Sequence, residues 1–313
     1  MPSRYRTARH GLASTLLGAL LVWGSDRPAH AVVTVGEASG YGVSANVLLG
    51  GPPTLVVPIT PAAGNIAPVP FNDNANLPSS NFTALYGIYT IGESDTGELD
   101  INFSSTVDGA PGVRSASADA TVDEVSIQNF TQVPPIFPVT LDAVLDLQAT
   151  EIMSMADVTG DFGGLVPTGS ASLSGTAGPG NDQASITSLG VEFLLKKNPV
   201  PNETFFITPN DVPGLEGHIT VIQNEQILNG NGSDMQSITV NALHLIIGTG
   251  MIKLPPNDTD AVWNGEVIVA QSRSALQAEM DPDTSGVPEP STLALAIAGL
   301  LLSVFNLRRR MRD

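Results

Sequence analysis

The chain has 313 residues, no cysteine and a formal net charge of −18. Between Val32 and Val287 there are 28 acidic residues against five basic ones, a net of −23. Such a field repels phosphates and anionic headgroups, which excludes nucleic acid as a partner. Without cysteine there are no disulfides, thiolate zinc sites or cysteine nucleophiles.

Residues 1–31 have the three parts of a secretory signal. Arg4, Arg6 and Arg9 form a basic start, Gly11 to Trp23 an apolar run, and Ala29-His30-Ala31 a small-residue exit. Cleavage is predicted after Ala31, with the Sec translocon and signal peptidase as partners. An uncleaved anchor is the competing reading.

From Val32 to residue 280 no sustained 3.6-residue apolar pattern occurs. Short alternating segments recur between Gly, Pro, Asn and Asp. They lie at 41–49, 55–59, 86–91, 99–104, 113–127, 139–155, 171–177, 186–195, 218–223, 237–247 and 266–272. About eleven strands at this spacing predict an all-β body, an antiparallel β-sandwich or barrel-like domain. A signal helix and a C-terminal transmembrane helix flank it. The stretch Ser115 to Asp123 alternates small apolar with polar side chains, so its thin face admits a close neighbour. Asn229-Gly230-Asn231-Gly232, between two apolar strands, supplies positive φ for a hairpin.

The chain closes with an acidic linker and the motif Pro288-Glu289-Pro290 (281–290), then a transmembrane segment and arginine cluster (291–313). Leu293 to Leu307 is interrupted only by Ser303 and Asn306, and Arg308, Arg309, Arg310 and Arg312 follow. About 17 helical residues from Ser291 give ~25 Å, slightly short of the ~30 Å hydrocarbon core, a deficit that snorkelling arginines cover. The arginines hold the C-terminus in the cytoplasm, so everything before Leu293 lies outside. Both ends predict the same topology. Two prolines around one residue also keep the motif extended and accessible to a processing enzyme. A plain C-terminal anchor is the alternative.

Pro288-Glu289-Pro290, the apolar span and the arginine cluster, in that order, resemble the PEP-CTERM sorting domain of Gram-negative bacteria. The resemblance implies an exosortase as partner, an inner-membrane intermediate, and delivery to the cell surface or a biofilm exopolysaccharide matrix. Thr220 to Gln226, Thr239 to Leu245 and Gly265 to Ala270, with Ala38 to Ala45 and the strand at Ser115, are similar to the choice-of-anchor P family of bacterial surface proteins. The proline- and asparagine-rich piece 58–78 departs from that family as an insertion. No catalytic role comes with either resemblance.

No G-x-S-x-G elbow, P-loop, H-E-x-x-H or dinucleotide fingerprint is present. Only His218 and His244 lie between the two end segments, too few for a multi-histidine metal site, and both read as ordinary strand side chains. Acidic clusters occur at 93–100, 157–161 and 258–260. In the first, Glu93, Asp95, Glu98 and Asp100 read as a loop able to fold over calcium, whose oxygens must lie within roughly 2.3–2.6 Å. Trp263 is the sole tryptophan of the body, few aromatics for a sugar-stacking enzyme. The expectation is a non-enzymatic exported surface or matrix protein without a cofactor. The alternative is a surface-displayed polysaccharide- or calcium-binding module.

Overall fold

The computed structural model describes residues 31–49, 55–58, 62–86, 89–132, 144–254 and 259–280. The sorting motif, its arginines, Ala29 and the two predicted end helices lie outside the described residues. Within them the protein is all-β, with no helix.

The described residues form sixteen strands rather than about eleven. They are β1 (Ala31–Leu49), β2 (Leu55–Pro58), β3 (Ala62–Ala67), β4 (Phe71–Leu77), β5 (Ser80–Tyr86), β6 (Tyr89–Thr96), β7 (Leu99–Ser105) and β8 (Arg114–Gln132). Then follow β9 (Leu145–Gly160), β10 (Val166–Ser174), β11 (Ser185–Ser188), β12 (Val191–Leu194), β13 (Glu203–Ile207), β14 (Ile219–Gly230), β15 (Met235–Leu254) and β16 (Thr259–Met280).

Two departures from the sequence reading have clear causes. The apparent insertion at 58–78 contains β3 and β4. Its asparagines are poor strand formers, but β4 pairs with β7 along its whole length, from Phe71 opposite Ser105 to Leu77 opposite Leu99. The run 186–195 is a hairpin rather than one strand. Leu189 (φ 46°) and Gly190 (φ 82°) form its two-residue turn, and a leucine there gives no turn signal.

The strands form two open antiparallel sheets, so the barrel-like alternative is not adopted. One has seven strands in the order β13-β14-β15-β16-β1-β2, with β3 also on β1. The other has nine, in the order β12-β11-β9-β8-β6-β5, with β10 on β9 and β4-β7 on β8. The largest apolar cluster draws on both sheets, from Val43, Val267 and Leu245 on one to Val122, Leu147 and Ile186 on the other. The arrangement is sandwich-like, held by apolar area removed from water between the sheets.

The thin face read at Ser115 to Asp123 is inward. Ala116, Ala118 and Ala120 are fully buried. Opposite them β1 presents Gly40, where an added Cβ would lie 3.0 Å from Ile101 Cγ2 and 3.4 Å from Ala120 Cβ. Trp263 is likewise core, at 0% exposure, its indole N–H donating to the Glu216 carbonyl at 3.1 Å.

The long strands share a feature invisible in the sequence pattern. In β15 Ile238, Val240 and Ala242 face inward, and then Leu243, Leu245 and Ile247 do, so the alternation reverses. The same reversal occurs in β16 between Val269 and Ala270, in β14 between Gln223 and Asn224, and in β8 between Val122 and Val125. Asn224 (φ 53°), Ala270 (φ 52°) and Glu124 (φ 48°) mark it with left-handed backbone. Pairing resumes in unchanged register, Gln223 with Leu243 and Glu225 with Asn241. A bulge sets two residues against one; here each strand reverses at a matched position, so nothing is inserted. The reversal also separates the edge strands. β7 pairs with residues 116–122 of β8 and β6 with residues 126–132. Buried Val33, Val107, Ala156, Ile238 and Leu276 accordingly form a cluster apart from the main one.

Candidate functional site

The hairpin at Asn229-Gly230-Asn231-Gly232 joins β14 to β15, as read. Gly232 has φ 72°, and the Asn231 side-chain oxygen accepts from the backbone N–H groups of Ser233 (2.8 Å) and Asp234 (3.1 Å). Its strands carry the most connected polar cluster among the described residues, on the outer face of the seven-stranded sheet beside the reversal.

The cluster runs across four strands. Tyr41 Oη on β1 accepts from Gln271 Nε2 on β16 at 2.9 Å, and the same amide donates to Asn241 Oδ1 on β15 at 2.6 Å. Asn241 Nδ2 donates to Glu225 Oε2 on β14 at 2.6 Å, and His244 Nδ1 lies 2.9 Å from that oxygen. On the far side of the ring, Nε2 is 3.6 Å from Glu266 Oε2. The imidazole is only 12% exposed. Reversal places these side chains together: Glu225, Asn241 and Gln271 occupy one cross-strand row next to Asn224, Ala242 and Ala270.

The electrostatics follow from this packing. Burial works against charge on His244, but the hydrogen bond and charge of Glu225, with Glu266 beyond, outweigh it and hold the ring above its ordinary pKa. The His244 contact holds Glu225 below the usual carboxylate range, against its burial and with help from Asn241. Burial, then the charges of Glu266 and Glu225, push Tyr41 up to about 12. His244 thus lies on a strand, β15, as read from the sequence, and there joins this network. Glu225, Asn241, Gln271 and Tyr41 went unread as a group, because Tyr41 and Gln271 stand 230 residues apart. His218 is exposed, and its carbonyl accepts the Gly248 N–H at 2.8 Å.

The acidic segment 93–100 is strand rather than loop. Glu93 and Asp95 belong to β6 and Asp100 to β7, both paired to β8. Across the break Gly97 N–H donates to the Asp123 carbonyl (2.7 Å) and Asp123 N–H to the Glu98 carbonyl (3.0 Å). Extended backbone sets Asp95 and Asp100 about 16 Å apart at ~3.3 Å per residue. Glu98 accepts a hydrogen bond from Asn76. Among the described residues no three acidic or histidine side chains converge as a metal-ligand group.

The outer face of the nine-stranded sheet is a second surface of note. Across β4, β7, β8, β9 and β10 its rows read Asn72-Ser104-Ser117-Asp157-Thr168, Asn74-Asn102-Asp119-Met155-Ser170 and Asn76-Asp100-Thr121-Met153-Ser172. Thirteen of these fifteen positions are Asn, Asp, Ser or Thr, and none is basic. Five strands at ~4.8 Å make the grid ~19 Å wide. Short side chains on paired strands offer fixed donors and acceptors; Asn102 Nδ2, for example, donates to Asp119 Oδ2 at 2.8 Å. At its rim lies a depression lined by Pro70, Phe71, Asn72, Ser104, Ser105 and Thr106.

No protein-family model matches the chain, and no curated protein matches it.

Proposed function

We propose that this is a non-enzymatic exported protein of a Gram-negative cell surface or biofilm matrix, sorted through its PEP-CTERM tail. The observation that carries the reading is the order Pro288-Glu289-Pro290, apolar 293–307, Arg308-Arg309-Arg310, in a chain whose first 31 residues run from Arg4, Arg6 and Arg9 through an apolar stretch to Ala29-His30-Ala31. The arrangement of the terminal strands supports it. β1 and β16 are neighbours, and Thr34, Glu37 and Tyr41 bond to Gln277, Arg273 and Gln271 in turn, so the two strands run antiparallel. The start of β1 and the end of β16 therefore lie at one end of the body.

In this reading the signal is removed after Ala31 and an exosortase processes the tail near Pro288-Glu289-Pro290. P288A/P290A is the test. The processed form is expected to be lost and the full-length form to stay in the inner membrane; unchanged C-terminal mass and unchanged location refute the reading.

The grid on the nine-stranded sheet favours a second reading, a surface-displayed module that binds polysaccharide. Amide and hydroxyl side chains suit sugar hydroxyls, and the three aspartates exclude a polyanion. Its calcium form rests on the acidic segments of the sequence. Calorimetry with matrix polysaccharide and with calcium separates the readings: saturable heat favours a binding module, and flat traces leave the structural role.

A further inference from the structure

We propose that Glu225, His244 and Glu266 form a proton-operated clamp across β14, β15 and β16, closed when the His244 ring is protonated and released when it is neutral. The geometry sets up this choice. Nδ1 faces Glu225 Oε2 at 2.9 Å and Nε2 faces Glu266 Oε2 at 3.6 Å. An imidazolium carries an N–H toward both carboxylates, whereas a neutral ring carries one. In the neutral state one ring nitrogen must turn a lone pair toward a carboxylate oxygen. Nε2 is buried and has no hydrogen-bond partner at its present distance from Glu266.

Glu225 is restrained from swinging away to relieve this, because Asn241 holds the same oxygen at 2.6 Å and Gln271, itself bonded to Tyr41, holds Asn241. The titratable groups acting on the ring are Glu225 from β14 and Glu266 from β16, while Tyr41 from β1 joins the network through Gln271. Tyr41 stays protonated, with its pKa near 12. Arg273, farther along β16, is held in a two-point pair by Glu37 at 3.0 and 3.3 Å. No cation therefore competes with His244 for the two carboxylates among these groups.

The sign follows by linkage. The folded state holds the His244 proton more tightly than the unfolded chain, whose reference value is 6.5. Its stabilisation is complete below that value and is lost as pH rises through the higher folded value. Glu225 is held below its reference of 4.5, so its contribution is present above that value and lost only as pH falls through the lower folded value. The clamp is closed between the two references and releases on the alkaline side. Its Glu225 lies one residue from the left-handed Asn224 and its Glu266 shares β16 with the left-handed Ala270, so release loosens the seam where the alternation reverses.

The test combines an NMR titration of the His244 ring with amide exchange at Leu243, His244 and Val269, corrected for intrinsic rates, in the wild type, H244N and E266Q. The wild-type ring is expected to titrate above 6.5, and E266Q to lower its midpoint. Wild-type protection at these amides is expected to fall at least about threefold between roughly pH 5.5 and 8.5, while H244N shows no such change. A wild-type ring that titrates at or below 6.5, or the same pH-dependent protection in H244N, overturns the clamp. The ring titration needs no variant, so misfolding of H244N would not shelter the proposal.

Discussion

Replacing Gly40 by alanine tests how closely the two sheets approach. The new Cβ would stand 3.0 Å from the Gln271 carbonyl oxygen, 3.0 Å from Ile101 Cγ2 and 3.4 Å from Ala120 Cβ. Gln271 O is backbone of a central strand, and Ile101 and Ala120 belong to the opposite sheet and are fully buried. None of the three can move without opening the core. Overpacking of this kind costs about 1–3 kcal/mol, against a gain of roughly 0.4–1 kcal/mol from a less flexible unfolded chain. A net loss of about 1–2 kcal/mol lowers the melting temperature of a body this size by roughly 2–8 °C. G164A is the control, since a Cβ there meets only Asp161 Oδ1 at 3.5 Å. It carries the same entropy gain without the crowding, and is expected to be neutral or slightly stabilising. Urea unfolding of the 32–280 body, by tryptophan fluorescence of buried Trp263, measures both. If G40A were as stable as G164A, the close approach of β1 to β7 and β8 would be wrong.

Three further outcomes follow from the reversal and the acidic face. Asn224→Ala removes a buried hydrogen bond from Nδ2 to the Pro199 carbonyl at 3.0 Å and sets a less tolerant residue at φ 53°. Its cost is about 2 kcal/mol, read from the urea midpoint. Glu124→Gly, at an exposed position with φ 48°, relieves left-handed strain and is expected to hold or raise the midpoint; a drop would mean the Glu124 side chain is itself stabilising. Asp123 is held above its ordinary pKa by burial and by Glu151, Asp100, Glu98 and Glu124 in turn. Its negative charge therefore disfavours folding at neutral pH, a penalty that fades as pH falls through its raised folded value. D123N is expected to raise the melting temperature at pH 7 and to converge on the wild type in acid. A uniform difference at both pH values would refute the electrostatic cause.

Much of the fold was legible because it is local and periodic. Alternation in 99–104 and 237–247 marks β7 and β15, and the thin face at Ser115 to Asp123 signals a near neighbour. The pair of Asn-Gly steps signals the β14–β15 hairpin by φ chemistry alone. Other elements carried no local signature. The asparagines of β4 become a strand because β7 offers an unpaired edge, and Leu189 enters a turn because β11 and β12 pair around it. The acids at 93–100 read as a loop because Gly97 looks like a turn, whereas both flanks are held straight by β8.

An all-β, acidic body between two apolar, arginine-bearing ends was readable from local sequence, since composition, alternation and apolar runs each act over a few residues. Tertiary structure decided the matched reversal and the polar cluster beside it. In β8, β14 and β16 the reversal is marked by one left-handed residue each, and a single φ leaves no period to read. The Tyr41–Gln271–Asn241–Glu225–His244 chain depends on β1 lying against β16, a pairing between the two ends of the body that only the assembled sheet brings about.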